Sequence, residues 1–205
     1  MIAMVDYGMG NRRSVEKALE HVGASVARTA DHAEIRAADG IVVPGVGAFP
    51  EAMRRLRADG LDEVIRDQAR AGVPVIGLCL GMQLLFTRSD EHEGAEGLDL
   101  IPGAVVKLEA PGLNIPHIGW HTVTFERESP LTAGLGEAAT FYHVHSFVPE
   151  PEDAGDVVGR GDYGGPFVSI VQRGNVMGAQ FHPEKSSREG LALLRNFVNL
   201  RAAVS

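Results

Sequence analysis

Cysteine is nearly absent from this 205-residue chain, in which Cys79 is the only one. A single cysteine cannot form an internal disulfide, so it is either a small buried apolar residue or a nucleophile. From residue type alone, the buried alternative is the commoner one. The residues around Cys79 must therefore decide between the two.

Basic residues are also scarce, with 19 Lys and Arg against 27 Asp and Glu and a formal net charge of −8. Phosphate binding needs a basic surface, so this composition argues against a nucleic-acid partner. The densest basic group is Arg54, Arg55 and Arg57, which alternate with apolar residues as on the solvated face of a helix. We therefore expect no nucleic-acid interface.

Long hydrophobic runs are missing as well. Gly72, Pro74 and Gly77 interrupt the most apolar stretch, which favours a chain without a membrane segment. The N-terminal segment reaches an acidic residue at Asp6 and has no basic residue before it, unlike a targeting peptide. We expect a cytoplasmic protein with one domain over residues 1–205, because this length suits a single core.

Short apolar runs alternate with helical spacing in the first half of the chain. Runs that are apolar on both faces and separated by helices indicate a mainly parallel central sheet with helices on both sides. Beyond about residue 103 short strand-like pieces dominate, which predicts a β-rich second half of the same α/β domain. The predicted strands are 2–5, 25–27, 41–43, 75–78, 105–106, 123–125, 141–142, 167–168 and 176–179, and the predicted helices are 14–21, 50–58, 61–71 and 187–198.

Cys79 stands between a buried apolar run and the helical stretch 82–86, with Gly77 and Gly81 on either side. This is the strand–turn–helix setting of a nucleophile elbow, where glycines leave room for a sharp turn. The start of the helix favours a thiolate at the sulfur. The alternative is a tightly packed strand end with an inert thiol, so the motif needs partners.

His182 and Glu184 supply those partners, after another apolar run. Pro183 restrains His182 to an extended conformation, in which residues two apart project to one side. The pair can then provide a base for the cysteine and a carboxylate to orient the imidazole. Without Cys79, an exposed histidine beside a turn would be the better interpretation.

An oxyanion site also needs main-chain donors. The N–H of Leu80, at the predicted helix start, is one candidate. The glycine-rich loop 44–47 follows another strand, and its flexible dihedrals can turn a second N–H inward. As a lone motif this loop would carry little meaning.

These segments resemble the class I glutamine amidotransferases, which have a flavodoxin-like fold. Residues 77–83 and 180–186 are similar to the two diagnostic blocks of that family. Segments 6–11, 44–49, 116–120 and 145–146 resemble the amidotransferase subunits of imidazole glycerol phosphate synthase, in the same order and nearly end to end.

The resemblance implies that a Cys79, His182 and Glu184 triad hydrolyses glutamine through a γ-glutamyl thioester. It places the oxyanion donors at Gly47 and Leu80. It also implies a heterodimer with a (β/α)₈ cyclase subunit, which would use the ammonia to form imidazole glycerol phosphate and an aminoimidazole carboxamide ribotide in histidine biosynthesis. No cofactor or metal is implied. The implied glutamine contacts are Gln83, His145, Ser146 and Phe147.

Three residues depart from the pattern of that family. His121 stands where asparagine is expected, His143 where an aromatic residue is expected, and Phe147 where tyrosine is usual. None is a triad member, so the departures concern glutamine contacts and docking rather than the chemistry.

Several alternatives compete with this function. A dinucleotide fingerprint at residues 8–13 fails, because Arg13 replaces the third glycine. Metal sites using His117 with His121, or His143 with His145, lack a completing carboxylate. Ile118 and Trp120 could form ordinary core rather than a docking surface. A different class I amidotransferase, a stand-alone amidase or a non-enzymatic partner protein remain open.

Overall fold

The computed structural model describes residues 1–200. Its α-helices are α1 (Arg12–His21), α2 (His32–Arg36), α3 (Phe49–Ala58), α4 (Leu61–Arg70), α5 (Leu80–Leu84) and α6 (Ser187–Leu200). Its strands are β1 (Ile2–Val5), β2 (Val26–Thr29), β3 (Gly40–Gly45), β4 (Val75–Cys79), β5 (Phe86–Ser89), β6 (Ala95–Glu96), β7 (Ile101–Lys107), β8 (His117–Phe125), β9 (Ala138–His145), β10 (Phe147–Pro151), β11 (Val157–Asp162), β12 (Pro166–Arg173) and β13 (Val176–Ala179).

The large sheet has the strand order β2-β1-β3-β4-β13-β12-β11-β8-β9. Its first five strands are parallel, in the order of a flavodoxin-like sheet, and the pairings from β13 to β9 are antiparallel. The predicted α/β fold with a parallel sheet and a β-rich second half is confirmed. The large sheet is mixed and takes strands from both halves of the chain.

The parallel strands are covered on both faces, which explains their continuous apolar runs. Every residue of β1, β3, β4 and β13 is buried. Helices α3, α4 and α5 pack on one face through residues such as Leu56 and Ile65, and α1 and α6 pack on the other through Leu19 and Phe197. The carboxyl ends of β3 and β4 are left side by side, with Gly45 paired to Cys79.

A smaller sheet, in the order β10-β7-β5-β6, lies beside the large one. The chain passes from β9 in the large sheet to β10 in the small sheet through a single residue, Ser146. The carbonyl of Ser146 accepts a hydrogen bond from the Leu108 amide, 2.9 Å away. Ser146 lines the same cleft as Cys79.

Two local expectations were wrong. The predicted helical stretch 82–86 includes Phe86, which instead begins β5, because amides of residues 98–101 bond to the carbonyls of Leu84, Leu85 and Phe86. The core alternative for Ile118 and Trp120 is also wrong, since their side chains are 58% and 50% exposed on β8. Within residues 1–200, no helix has the length and apolar character needed to cross a membrane.

Candidate active site

Cys79 is the last residue of β4 and lies directly before α5, in a strained backbone conformation with φ 55° and ψ −114°. Non-glycine residues adopt positive φ rarely, and such strain collects at functional turns. A Cβ on Gly77 would lie 2.3 Å from the Gly81 carbonyl oxygen, and one on Gly81 would lie 1.8 Å from that of Val43. The glycines therefore allow the turn, as the elbow pattern predicts.

The thiol of Cys79 is 7% exposed and opens onto a cleft of about 290 Å³. Its Sγ lies 3.7 Å from the carbonyl oxygen of Val144, to which the thiol donates, and 3.9 Å from the side-chain nitrogen of Gln180. The thiol is therefore held from two sides but is not sealed inside the core.

His182 follows β13 and also lines the cleft. Its Nδ1 lies 3.1 Å from Oε1 of Glu184. Burial lowers the pKa of His182, but the interactions with Cys79 and Glu184 outweigh this effect and raise the pKa to about 10. His182 is extended, as predicted. Glu184 instead lies in a 3₁₀ turn, Pro183–Lys185, and this turn brings its carboxylate to the imidazole of His182.

The two oxyanion candidates lie at the mouth of the elbow. Leu80 is the first residue of α5, and Gly47 ends the loop after β3 with φ 108°, a conformation that favours glycine. Near the end of β3, the carbonyl of Pro44 accepts a 2.6 Å hydrogen bond from the buried Tyr7 hydroxyl. Burial raises the pKa of Tyr7, and its proximity to Cys79 raises it further.

The structure brings eight of the nine predicted site residues to this cleft, and Glu184 lies behind His182. The lining residues are Val46, Gly47, Cys79, Leu80, Gln83, Glu91, Pro116, Val144, His145, Ser146, Phe147 and His182. These residues come from distant parts of the chain and converge at the carboxyl ends of the parallel strands, where sites of such sheets are built.

The carbonyl of Phe147 anchors two of the predicted glutamine contacts. It lies 3.1 Å from Nε2 of Gln83 and 3.1 Å from Nδ1 of His145, and both side chains donate to it. Gln83 also donates to Oε1 of Gln180, so its own carbonyl oxygen is the atom left to meet a ligand. Nε2 of His145 lies 2.9 Å from Nδ1 of His117, so neither ring nitrogen of His145 is free for a substrate.

Two residues at this site were missed in the sequence. Gln180 is fully buried and touches both Cys79 and Gln83, and its place in the His182 motif was the available signal. Glu91 lines the cleft and accepts a 2.8 Å bond from the Phe49 amide at the start of α3. Glu91 comes from a connection without a recognisable motif, so only the tertiary structure places it.

The histidines considered for a metal lie on β8 and β9. His143 is fully buried, with Nε2 2.9 Å from the Ser169 hydroxyl, so its departure from the family pattern is matched by a polar partner. No group of three or more potential metal ligands with suitable geometry occurs in the described part of the chain.

Comparison with known proteins shows the family of this chain. The family Glutamine amidotransferase class-I matches residues 3–200. Imidazole glycerol phosphate synthase subunit HisH of Moorella thermoacetica is 50% identical over 199 residues, covering 97% of this chain and 94% of the relative. The subunit of that name from Syntrophotalea carbinolica is 46% identical over 205 residues, covering 96% and 98%.

Solved structures share the fold at lower sequence identity. A glutamine amidotransferase crystal structure superposes with a TM-score of 0.78 at 20% identity, covering 98% of this chain and 100% of that one. PurLQS from Thermotoga maritima gives 0.73 at 21% identity, with 97% of both chains covered. The chain belongs to the class I glutamine amidotransferases, and among them to the family of imidazole glycerol phosphate synthase HisH subunits.

Proposed function

We propose that this chain hydrolyses glutamine to glutamate and ammonia with Cys79, His182 and Glu184, as the glutaminase subunit of imidazole glycerol phosphate synthase. The observation that carries the assignment is the single cleft onto which Cys79 and His182 open, with Glu184 bonded to the imidazole from behind. This order of nucleophile, base and orienting carboxylate is the arrangement of a triad.

In the first half-reaction, Cys79 gives its thiol proton to His182, whose raised pKa favours the imidazolium, and Sγ attacks the side-chain amide carbon of glutamine. The tetrahedral intermediate then collapses as His182 returns a proton to the amide nitrogen, which leaves as ammonia. The product is a γ-glutamyl thioester. His182 next takes a proton from water, the hydroxide attacks the thioester, and glutamate and the free thiol are released.

Glu184 acts through His182 in both half-reactions. Its Oε1 accepts from Nδ1, which leaves Nε2 of the imidazole as the atom available to Cys79 and the substrate. A carboxylate at this place also stabilises the imidazolium that forms when the thiol is deprotonated. The N–H groups of Leu80 and Gly47 are proposed to stabilise the oxyanion, for which two main-chain donors at an elbow are the usual arrangement.

The remaining groups of the cleft suit the other end of glutamine. The side-chain oxygen of Gln83 and the main chain of Ser146 and Phe147 are proposed as its polar contacts. Glu91 is the carboxylate on the cleft, and we assign it to the α-ammonium group. A charge-assisted hydrogen bond of this kind contributes about 1.5–3 kcal/mol.

An exposed apolar surface lies near the triad. Ile118 and Trp120 are exposed on β8, and the Trp120 ring contacts Tyr142, with centroids 5.8 Å apart. Lys185, the residue after Glu184, places its Nζ 5.9 Å from the centre of the Tyr142 ring. We propose that the (β/α)₈ cyclase subunit docks here and receives the ammonia through a path closed to water, which prevents protonation to unreactive ammonium.

The test is glutamate release by the purified chain, alone and with a cyclase subunit and its nucleotide. We expect feeble turnover alone and a large increase in the complex. Cys79→Ala should abolish glutamine-dependent synthesis and leave ammonia-dependent synthesis intact. Equal turnover with and without cyclase would indicate a stand-alone amidase. A chain that fails to bind the cyclase but serves another synthase would indicate a different class I amidotransferase.

A further inference from the structure

His117 lies directly behind the glutamine cleft and belongs neither to the triad nor to the proposed oxyanion site. It begins β8 and is paired across the strands with His145, the last residue of β9. Its side chain is fully buried, and its ring stacks on that of Tyr163 with centroids 4.1 Å apart. Its Nδ1 lies 2.9 Å from Nε2 of His145.

The direction of this hydrogen bond follows from its neighbours. The Phe147 carbonyl can only accept, so Nδ1 of His145 carries a hydrogen and donates to it. A neutral His145 then has no hydrogen on Nε2, and Nδ1 of His117 must be the donor. Burial lowers the pKa of His145 to about 3 and that of His117 to about 4, and the neighbouring histidines add to both decreases.

The opposite tautomer of His117 would be costly. It would set two bare nitrogens 2.9 Å apart and bury an N–H at Nε2, which has no hydrogen-bond partner within residues 1–200. The bond to His145 is therefore the one polar interaction of this imidazole among the described residues. Apart from packing, the ring therefore acts on its neighbours through the hydrogen bond from Nδ1.

The bond adjoins a short segment that lines the cleft together with the nucleophile. Ser146 is the single residue between β9 of the large sheet and β10 of the small sheet, and it lines the cleft with Phe147. The Phe147 carbonyl is held by His145 and Gln83. Without the donor from His117, Nε2 of His145 would be a buried acceptor without a partner. Rotation of the imidazole toward another donor would then break its bond to the Phe147 carbonyl.

We propose that His117 is a positioning residue for glutamine binding: its Nδ1–H fixes the tautomer and orientation of His145, and thereby the main chain of Ser146 and Phe147 that meets the substrate. This role rests on the proposed glutaminase function. His117 touches neither the substrate nor Cys79, so it acts on the affinity for glutamine more than on the chemical step.

Three substitutions of His117 distinguish the effect of the position of the hydrogen-bond donor from the effect of packing. In His117→Asn the side-chain amide lies near the place of Nδ1, whereas in His117→Gln it lies near the place of Nε2, and His117→Leu has no donor. With the cyclase complex, we expect His117→Leu and His117→Gln to raise the KM for glutamine about tenfold, the effect of one buried hydrogen bond left unmade. His117→Asn should restore it to within about threefold of the wild type, while ammonia-dependent synthesis stays unchanged in all three.

A KM that stays at the wild-type value in all three variants would overturn the proposal, and so would equal impairment by Asn and Gln. A second measurement does not depend on the folding of any variant. Long-range ¹H–¹⁵N spectra of the histidine-labelled wild-type chain should show His117 and His145 both protonated at Nδ1, and protonation of either at Nε2 would overturn the proposal. Failure of the wild-type complex to hydrolyse glutamine would instead reject the proposed function.

Discussion

The carbonyl oxygen of Val43 occupies the space in which a side chain at position 81 would begin, only 1.8 Å from an ideal Cβ on Gly81. Val43 belongs to β3 and Gly81 to α5, so the helix after Cys79 rests directly on the neighbouring strand. The close approach holds the N-terminus of α5 against the loop that carries Gly47. The sharp turn at Cys79 and the positions of the oxyanion candidates Leu80 and Gly47 therefore depend on the same contact.

Gly81→Ala should destabilise the fold and remove glutaminase activity, because the clash is with backbone and cannot be relieved by a rotamer change. We expect the free energy of unfolding to fall by about 3 kcal/mol, at the upper end of overpacking effects. Gly112→Ala is the control, since nothing lies within 4 Å of its Cβ position and only its positive φ of 79° is strained. Denaturant unfolding should show a loss of about 1 kcal/mol for the control; equal losses would contradict the argument.

Glu184→Gln should lower kcat by at least about 100-fold with little change in KM, because an amide cannot stabilise the imidazolium of His182. The pKa of His182 should fall, since Glu184 is one of the groups that raise it. NMR titration of the labelled imidazole measures this directly. Glu63→Gln, on an exposed position of α4, is the control. An unchanged His182 titration would rule out the proposed coupling.

Glu91→Gln should raise the KM for glutamine about 10- to 100-fold and leave kcat nearly unchanged, because a charged contact with the α-ammonium group is lost. The amide oxygen can still accept the bond from the Phe49 amide, so the start of α3 should remain intact. Glu93→Gln, exposed in the same connection, controls for charge. A lower kcat at constant KM would place Glu91 in the chemistry rather than in binding.

Stability should decrease from about pH 6.5 toward pH 5. Burial lowers the pKa of His143 to about 2, that of His145 to about 3 and that of His117 to about 4. Below pH 6.5 the unfolded chain therefore binds protons that the folded chain does not, at a cost of up to about 1.4 kcal/mol per pH unit for each group. Denaturant unfolding at several pH values measures the slope.

The control for this slope is the double variant His143→Phe with Ser169→Ala, which removes one titrating group together with its hydroxyl partner. It should reduce the acid slope by about one third, since two of the three buried groups remain. His182 acts in the opposite direction. Its pKa lies above 6.5, so its contribution is fully present at acid pH and is lost only as the pH rises toward 10. An unchanged slope in the double variant would contradict a buried, neutral His143.

The sequence alone was enough to identify the covered parallel strands, the elbow at Cys79 and the triad candidates His182 and Glu184, because these depend on local patterns. Apolar runs, flanking glycines and a proline beside a histidine constrain the backbone within a few residues. The same local logic failed for Phe86, where amides from residues 98–101 end the helix.

Only the tertiary structure decided which distant groups meet those residues. Glu91, Gln180 and His117 reach the cleft or its supporting bonds from three separate parts of the chain, and the exposure of Trp120 depends on which elements pack over β8. Hydrogen-bond partners and burial depend on elements that are far apart in the chain. The spacing of residues within a short segment therefore does not predict them. The identity of the nucleophile was therefore local information, whereas the shape and support of its cleft were not.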